Sequence, residues 1–85
     1  MKLLTSDQIR AARALVRWSA EDLSRHSAVS LRTIRRAEVA EGQMVVTKAN
    51  NEALRRALES AGVEFIDENG GGPGVRLRKR QKKKD

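Results

Sequence analysis

The chain has 85 residues, no cysteine, one histidine (His26), and 18 basic against 11 acidic side chains, for a formal charge of +7. That length allows one domain with a small core and no cleft between domains. Disulfides, thiolate sites and His-rich metal clusters are excluded, and with one histidine so are most nucleophile–base pairs.

No apolar run approaches the ~20 residues of a membrane helix, and no long apolar signal-peptide region opens the chain. The expectation is a cytoplasmic protein, not an enzyme, without metal or cofactor. Its charge is unevenly spread. Residues 10–36 hold seven arginines against two acids, and residues 76–85 hold seven bases against one. Between them, residues 37–75 have three bases against seven acids. Two basic regions flanking an acidic one point to a polyanion approached from defined sides.

In chain order, Thr5 starts a first helix, with Gln8 at the reciprocal capping position and Leu4 and Ile9 as a hydrophobic staple. Ile9, Ala12, Val16 and Leu15 are placed on its core side. Arg13 falls near that face, where a lone charge would be costly, and Glu38 is the candidate partner. Ser19 and Asp22 form a second capping box, stapled by Trp18 and Leu23. Ser30 opens a third helix, with Thr33 in the acid's place and Val29 and Ile34 as staple. The two caps are eleven residues apart, room for a helix of about two turns and a tight turn, the dimensions of a helix-turn-helix. His26 is expected to be an exposed helix residue, and Trp18 a core staple.

The third helix is expected to end near Ala40. A loop around Gly42 follows, with Met44 and Val46 covering the core. Thr47 caps a fourth helix to Ala61, stopped by Gly62, with Ala49, Ala53, Leu54, Ala57, Leu58 and Ala61 as its apolar stripe. Arg55, Arg56 and Glu59 are placed on its solvated face. Beyond Gly62 the period changes to alternation, so residues 63–78 read as a β-hairpin around a Gly-rich turn. An isolated hairpin is marginal in water. It therefore packs on the fourth helix through Phe65 and Leu77, or pairs with a second copy. The favoured expectation is a dimer through Val63, Phe65, Val75 and Leu77. Residues 79–85 read as a disordered basic tail making non-specific phosphate contacts.

With Leu23, Val29, Ser30, Ile34 and Glu38 in this pattern, and Arg13 in the first helix, the chain resembles the Xre/Cro-like family of bacterial and phage helix-turn-helix regulators. The ending LRRALESAGVEF, a Gly-rich turn and GVRLRK is similar to a group of short bacterial regulators. The resemblance implies a mainly α, four-to-five-helix lambda-repressor-like domain over residues 1–62, with a C-terminal β-hairpin. It also implies an internal Arg13–Glu38 salt bridge, base contacts from Leu31, Arg32 and Arg36, and phosphate contacts from Thr33 and Arg35. Two positions depart from the family. Ala28 stands where it usually has a turn glycine, costing ~1 kcal/mol or more if left-handed. Ala20 stands where a glutamine often bonds phosphate, leaving the backbone N–H groups of that helix start.

Arg32 and Arg36, one turn apart, can enter one major groove and meet guanine O6 and N7. Ser30, Gln43, Thr47 and Lys48 are candidate phosphate contacts. The expected partners are double-stranded DNA, a second copy of the chain, and RNA polymerase or a regulatory protein, with the protein located on the nucleoid. The expected function is sequence-specific transcriptional regulation by a homodimer on a palindromic operator. Two alternatives stand beside it: an antitoxin repressing its own operon, and a general nucleic-acid binder relying on the tail.

Overall fold

The computed structural model describes residues 3–40 and 46–78. Four helices come first: α1 (Ser6–Val16), α2 (Ala20–Ser27), α3 (Leu31–Val39) and α4 (Lys48–Ser60). They are followed by a two-stranded antiparallel hairpin, β1 (Val63–Ile66) and β2 (Gly74–Leu77). The fold is mainly α with a C-terminal hairpin.

Each helix begins at an oxygen-bearing cap. Thr5 and Ser19 both form complete capping boxes, with Gln8 and Asp22 as the reciprocal partners. The Ser30 hydroxyl accepts from the Thr33 N–H and donates to Thr33 Oγ1 at 2.9 Å, so threonine takes the acid's place without reaching back to the cap backbone. Thr47 accepts from the Asn50 N–H and opens α4. Such caps contribute roughly 1 kcal/mol each.

The core collects Leu4, Ile9 and Ala12 from the first segment and Leu23, Val29, Ile34 and Ala37 from α2 to α3. Leu54, Ala57, Leu58 and Val63 close it from α4 and β1. Leu23, Ile34, Leu54 and Leu58 have 0% of their surface exposed, and each contributes about 1.5–3 kcal/mol of transfer free energy. Trp18, Val46, Phe65 and Val75 are half-buried against this cluster.

Four sequence expectations need correction. Leu15 is exposed rather than inward; it sits six residues beyond Ile9, about 120° round the helix. Ala49 is exposed, about 180° from Leu58. Its stripe position is held by Asn51, fully enclosed, whose Oδ1 accepts from the Leu4 N–H at 2.9 Å. Arg55 is not on the solvated face: its side chain is 12% exposed and its guanidinium lies 5.1 Å from the Phe65 ring centre. Val63 does not offer its side chain to a dimer contact, because that side chain is fully buried in the chain's own core.

The two strands pair within one chain, in the register Val63 with Leu77 and Phe65 with Val75. The hairpin leans on α1 and α4. The Gln8 side-chain amide donates to the carbonyls of Ile66 (3.2 Å) and Gly74 (3.0 Å), the last pair of the ladder. At the other end the Arg78 N–H donates to the Gly62 carbonyl at 2.8 Å. Gly62, at φ 111°, turns the chain from α4 into β1. Of the four residues expected at a dimer contact, Leu77 is the one exposed to solvent, at 44%. The expectations for Gly42, Gln43, Met44 and the tail at 79–85 lie outside the described residues.

Candidate nucleic-acid interface

The turn between α2 and α3 is built by side chains that bond their own backbone. Ser24 Oγ donates to the Val29 carbonyl at 2.6 Å, and Ser27 Oγ accepts from the Val29 N–H at 3.1 Å. Between them Ala28 is left-handed (φ 64°, ψ 19°), with its N–H on the Ser24 carbonyl. The chain accepts a strain of ~1 kcal/mol here, where glycine would accept none.

The far end of α3 is tied to α1. Arg13 Nε and Nη2 meet the two carboxylate oxygens of Glu38 at 2.7 and 2.9 Å, while Nη1 donates to the Trp18 carbonyl at 2.9 Å. The Glu38 hydrogen bond raises the Arg13 pKa above its ordinary value, against the opposing effect of burial. This is the pair expected from Arg13's place near the apolar face of the first helix. Arg10 adds a second tie by donating to the Glu38 carbonyl, placing a cation at the negative end of α3.

Four of the seven arginines between residues 10 and 36 are matched by acids: Arg10 by Asp7, Arg13 by Glu38, Arg25 by Asp22 and Arg35 by Glu21. Among the described residues Arg17, Arg32 and Arg36 meet no acid. Arg32 and Arg36 are both exposed and lie one turn apart on α3, which sets their Cβ atoms about 6 Å apart on one face. Leu31, at the first position of α3, is half-buried and lies beside Arg32 in the chain.

The phosphate candidates divide into groups. Lys48 is exposed and without an acid among the described residues. Thr47 and Ser30 are exposed and accept cap bonds through their hydroxyl oxygens; the Ser30 O–H also donates to Thr33 Oγ1, whereas the cap leaves the Thr47 O–H free to donate. Thr33 is half-buried, Arg35 is held by Glu21 at 3.1 Å, and Gln43 lies outside the described residues. The helix start at α2 is occupied by the capping box that its sequence implies. The Ser19 N–H is taken by the Asp22 carboxylate and the Asp22 N–H by the Ser19 hydroxyl, each near 3 Å. An anion arriving there meets two acids, Glu21 and Asp22.

His26 is exposed, as expected, but its ring stacks on Trp18 with centroids 4.2 Å apart and planes 6° from parallel. Helical periodicity does not reveal this contact. It depends on the left-handed Arg17 (φ 58°) that turns the chain between α1 and α2. A shallow cavity of about 370 Å³ beside this stack, between α2 and α4, is lined by none of the base-contact candidates. Among the described residues there is no group of acids and histidine able to hold a metal ion, and no helix long and apolar enough to cross a membrane.

Compared with known proteins, the chain matches no family model, and no curated protein aligns with it.

Proposed function

We infer that this chain is a sequence-specific, double-stranded-DNA-binding transcriptional regulator of the Xre/Cro-like kind, acting as a homodimer on a palindromic operator. One observation carries the reading. On a short helix fixed at both ends, Arg32 and Arg36 project together without an acid among the described residues, while four neighbouring arginines are neutralised. Two guanidinium groups so placed suit the O6 and N7 edge of guanine in the major groove, worth about 1–3 kcal/mol of discrimination per base.

The fixed geometry matters as much as the charge. Ser30 holds the start of α3, and Arg13 with Arg10 holds its end, so the helix backbone that carries the arginines is presented without further ordering. Lys48, near the N-terminus of α4, supplies a backbone contact. Leu77 and the open outer edges of the hairpin form the surface on which a second copy docks, carrying two copies of α3 to half-sites about 10 bp apart or a multiple. Regulation is by occupancy, which blocks or contacts polymerase, and the site of action is the cytoplasmic nucleoid.

Amide NMR on titration with a mixed-sequence duplex tests the reading. The expected shifts concentrate on residues 30–36 and 47–48. Shifts confined to residues outside α2, α3 and the start of α4 would contradict it.

A further inference from the structure

Arg35 differs from its two neighbours on α3. It sits about 100° round the helix from Arg36, toward α2, and its guanidinium bonds Glu21 Oε2 at 3.1 Å. Both partners are more than half exposed, with side-chain exposures of 61% and 59%, so the pair adds little to fold stability. Its position gives it a different consequence. An unpaired arginine at the flank of a groove-binding helix would contact backbone phosphate, a bond that every DNA sequence offers equally. Glu21 occupies that guanidinium and places a negative charge beside it. The next residue, Asp22, is committed to the Ser19 N–H and to Arg25, which leaves Glu21 as the acid that meets Arg35.

We propose that Glu21 is a specificity-determining residue, which lowers sequence-independent affinity by holding Arg35 off the DNA backbone while Arg32 and Arg36 read bases. The idea rests on the DNA-binding function inferred above. Phosphate contacts add to operator and non-operator affinity alike. In the operator complex, however, base contacts fix the register of α3, and Arg35 is less free to seek a phosphate. Relieving Glu21 therefore favours non-specific DNA more.

The test compares wild-type, Glu21→Gln, Arg35→Gln and the double variant on the duplex that wild type enriches from a random pool and on an unrelated duplex, at two salt concentrations. Glu21→Gln is expected to tighten binding to the unrelated duplex about two- to five-fold, as for loss of one surface ion pair and gain of one phosphate contact. Its affinity for the enriched duplex should rise less, and its salt slope on unrelated DNA should steepen by about 0.9. In the Arg35→Gln background these gains should vanish. Gains that persist without Arg35 would overturn the proposal, since Glu21 would then act by simple charge. An unchanged ratio between the two duplexes would overturn it as well. If wild type enriches no duplex, the DNA-reading function itself fails. If wild type enriches one and only the Glu21 ratio stays fixed, this inference alone fails. Circular dichroism melts of all four proteins confirm equal folding.

Discussion

Arg13 grips both carboxylate oxygens of Glu38, joining the last turn of α1 to the last turn of α3 across 25 residues of sequence. The carboxylate side chain is 10% exposed and the guanidinium 22%, so neither loss is made good fully by water.

Arg13→Ala or Glu38→Ala should destabilise the fold by about 2–4 kcal/mol, somewhat below the figure for a fully buried pair because Arg13 keeps some solvent. Replacing both, as Arg13→Met with Glu38→Leu, should be much milder than either single change, since no charge is stranded. Urea melts of the three proteins decide it. Additive losses would show that the pair holds nothing together.

Gln8 has two separable duties: its Oε1 accepts from the Thr5 N–H at 3.0 Å, and its Nε2 joins the hairpin's final pair to α1. Gln8→Glu keeps the acceptor and removes the donor, setting a carboxylate against two carbonyls. A loss of about 1–3 kcal/mol is expected, with hydrogen exchange speeding up in residues 64–76 and not in the first turn of α1. Uniform exchange changes would mean that the hairpin does not depend on this clasp.

Much of this architecture was legible from local chemistry, and the misses share a cause. The cap residues Thr5, Ser19, Ser30 and Thr47 announce themselves by type and spacing, and Arg13 by lying on an apolar face. Asn51 was hidden because a polar residue on a helix gives no sign that a distant backbone N–H, that of Leu4, will meet it. Arg55 was misplaced because its aliphatic stem can lie over an aromatic ring that only the hairpin brings near. Val63 begins a strand with the alternation of a half-exposed edge, yet the turn at Gly62 sends it under α4. At the candidate interface, the residue types on α3 were readable. Which arginines keep their charge to themselves was not, because Glu21 and Arg35 are neighbours only after the two helices cross.

Ala28 gives a stabilising prediction. It is exposed and left-handed, so Ala28→Gly relieves backbone strain at no packing loss. The gain, after the extra flexibility glycine gives the unfolded chain, is about 0.5–1 kcal/mol, or a rise in Tm of roughly 2–8 °C for a domain of this size. A fall in Tm would show that the left-handed turn is not strained.

Acid should weaken two defined places. The Ser19 N–H, and then Arg25, hold the Asp22 carboxyl below the usual carboxylate range; Arg76 does the same for Glu64 on the hairpin. Both folded-state pKa values are depressed, so their contribution is fully present above the unfolded value of about 4 and is lost as pH falls through the folded value. Thermal melts should therefore show stability dropping below about pH 4. Asp22→Asn and Glu64→Gln should each flatten that drop, and an unchanged acid limb in both would refute the assignment.

The proposed function stands or falls on whether Arg32 and Arg36 read bases from α3. Its most direct test is selection from a random duplex library at near-physiological salt, with wild type beside the Arg32→Ala/Arg36→Ala variant. The expected result is a two-fold symmetric motif rich in guanine, with half-sites about one helical turn apart or a multiple, that collapses in the double variant. No enriched motif, with binding that simply fades as salt rises, would contradict it.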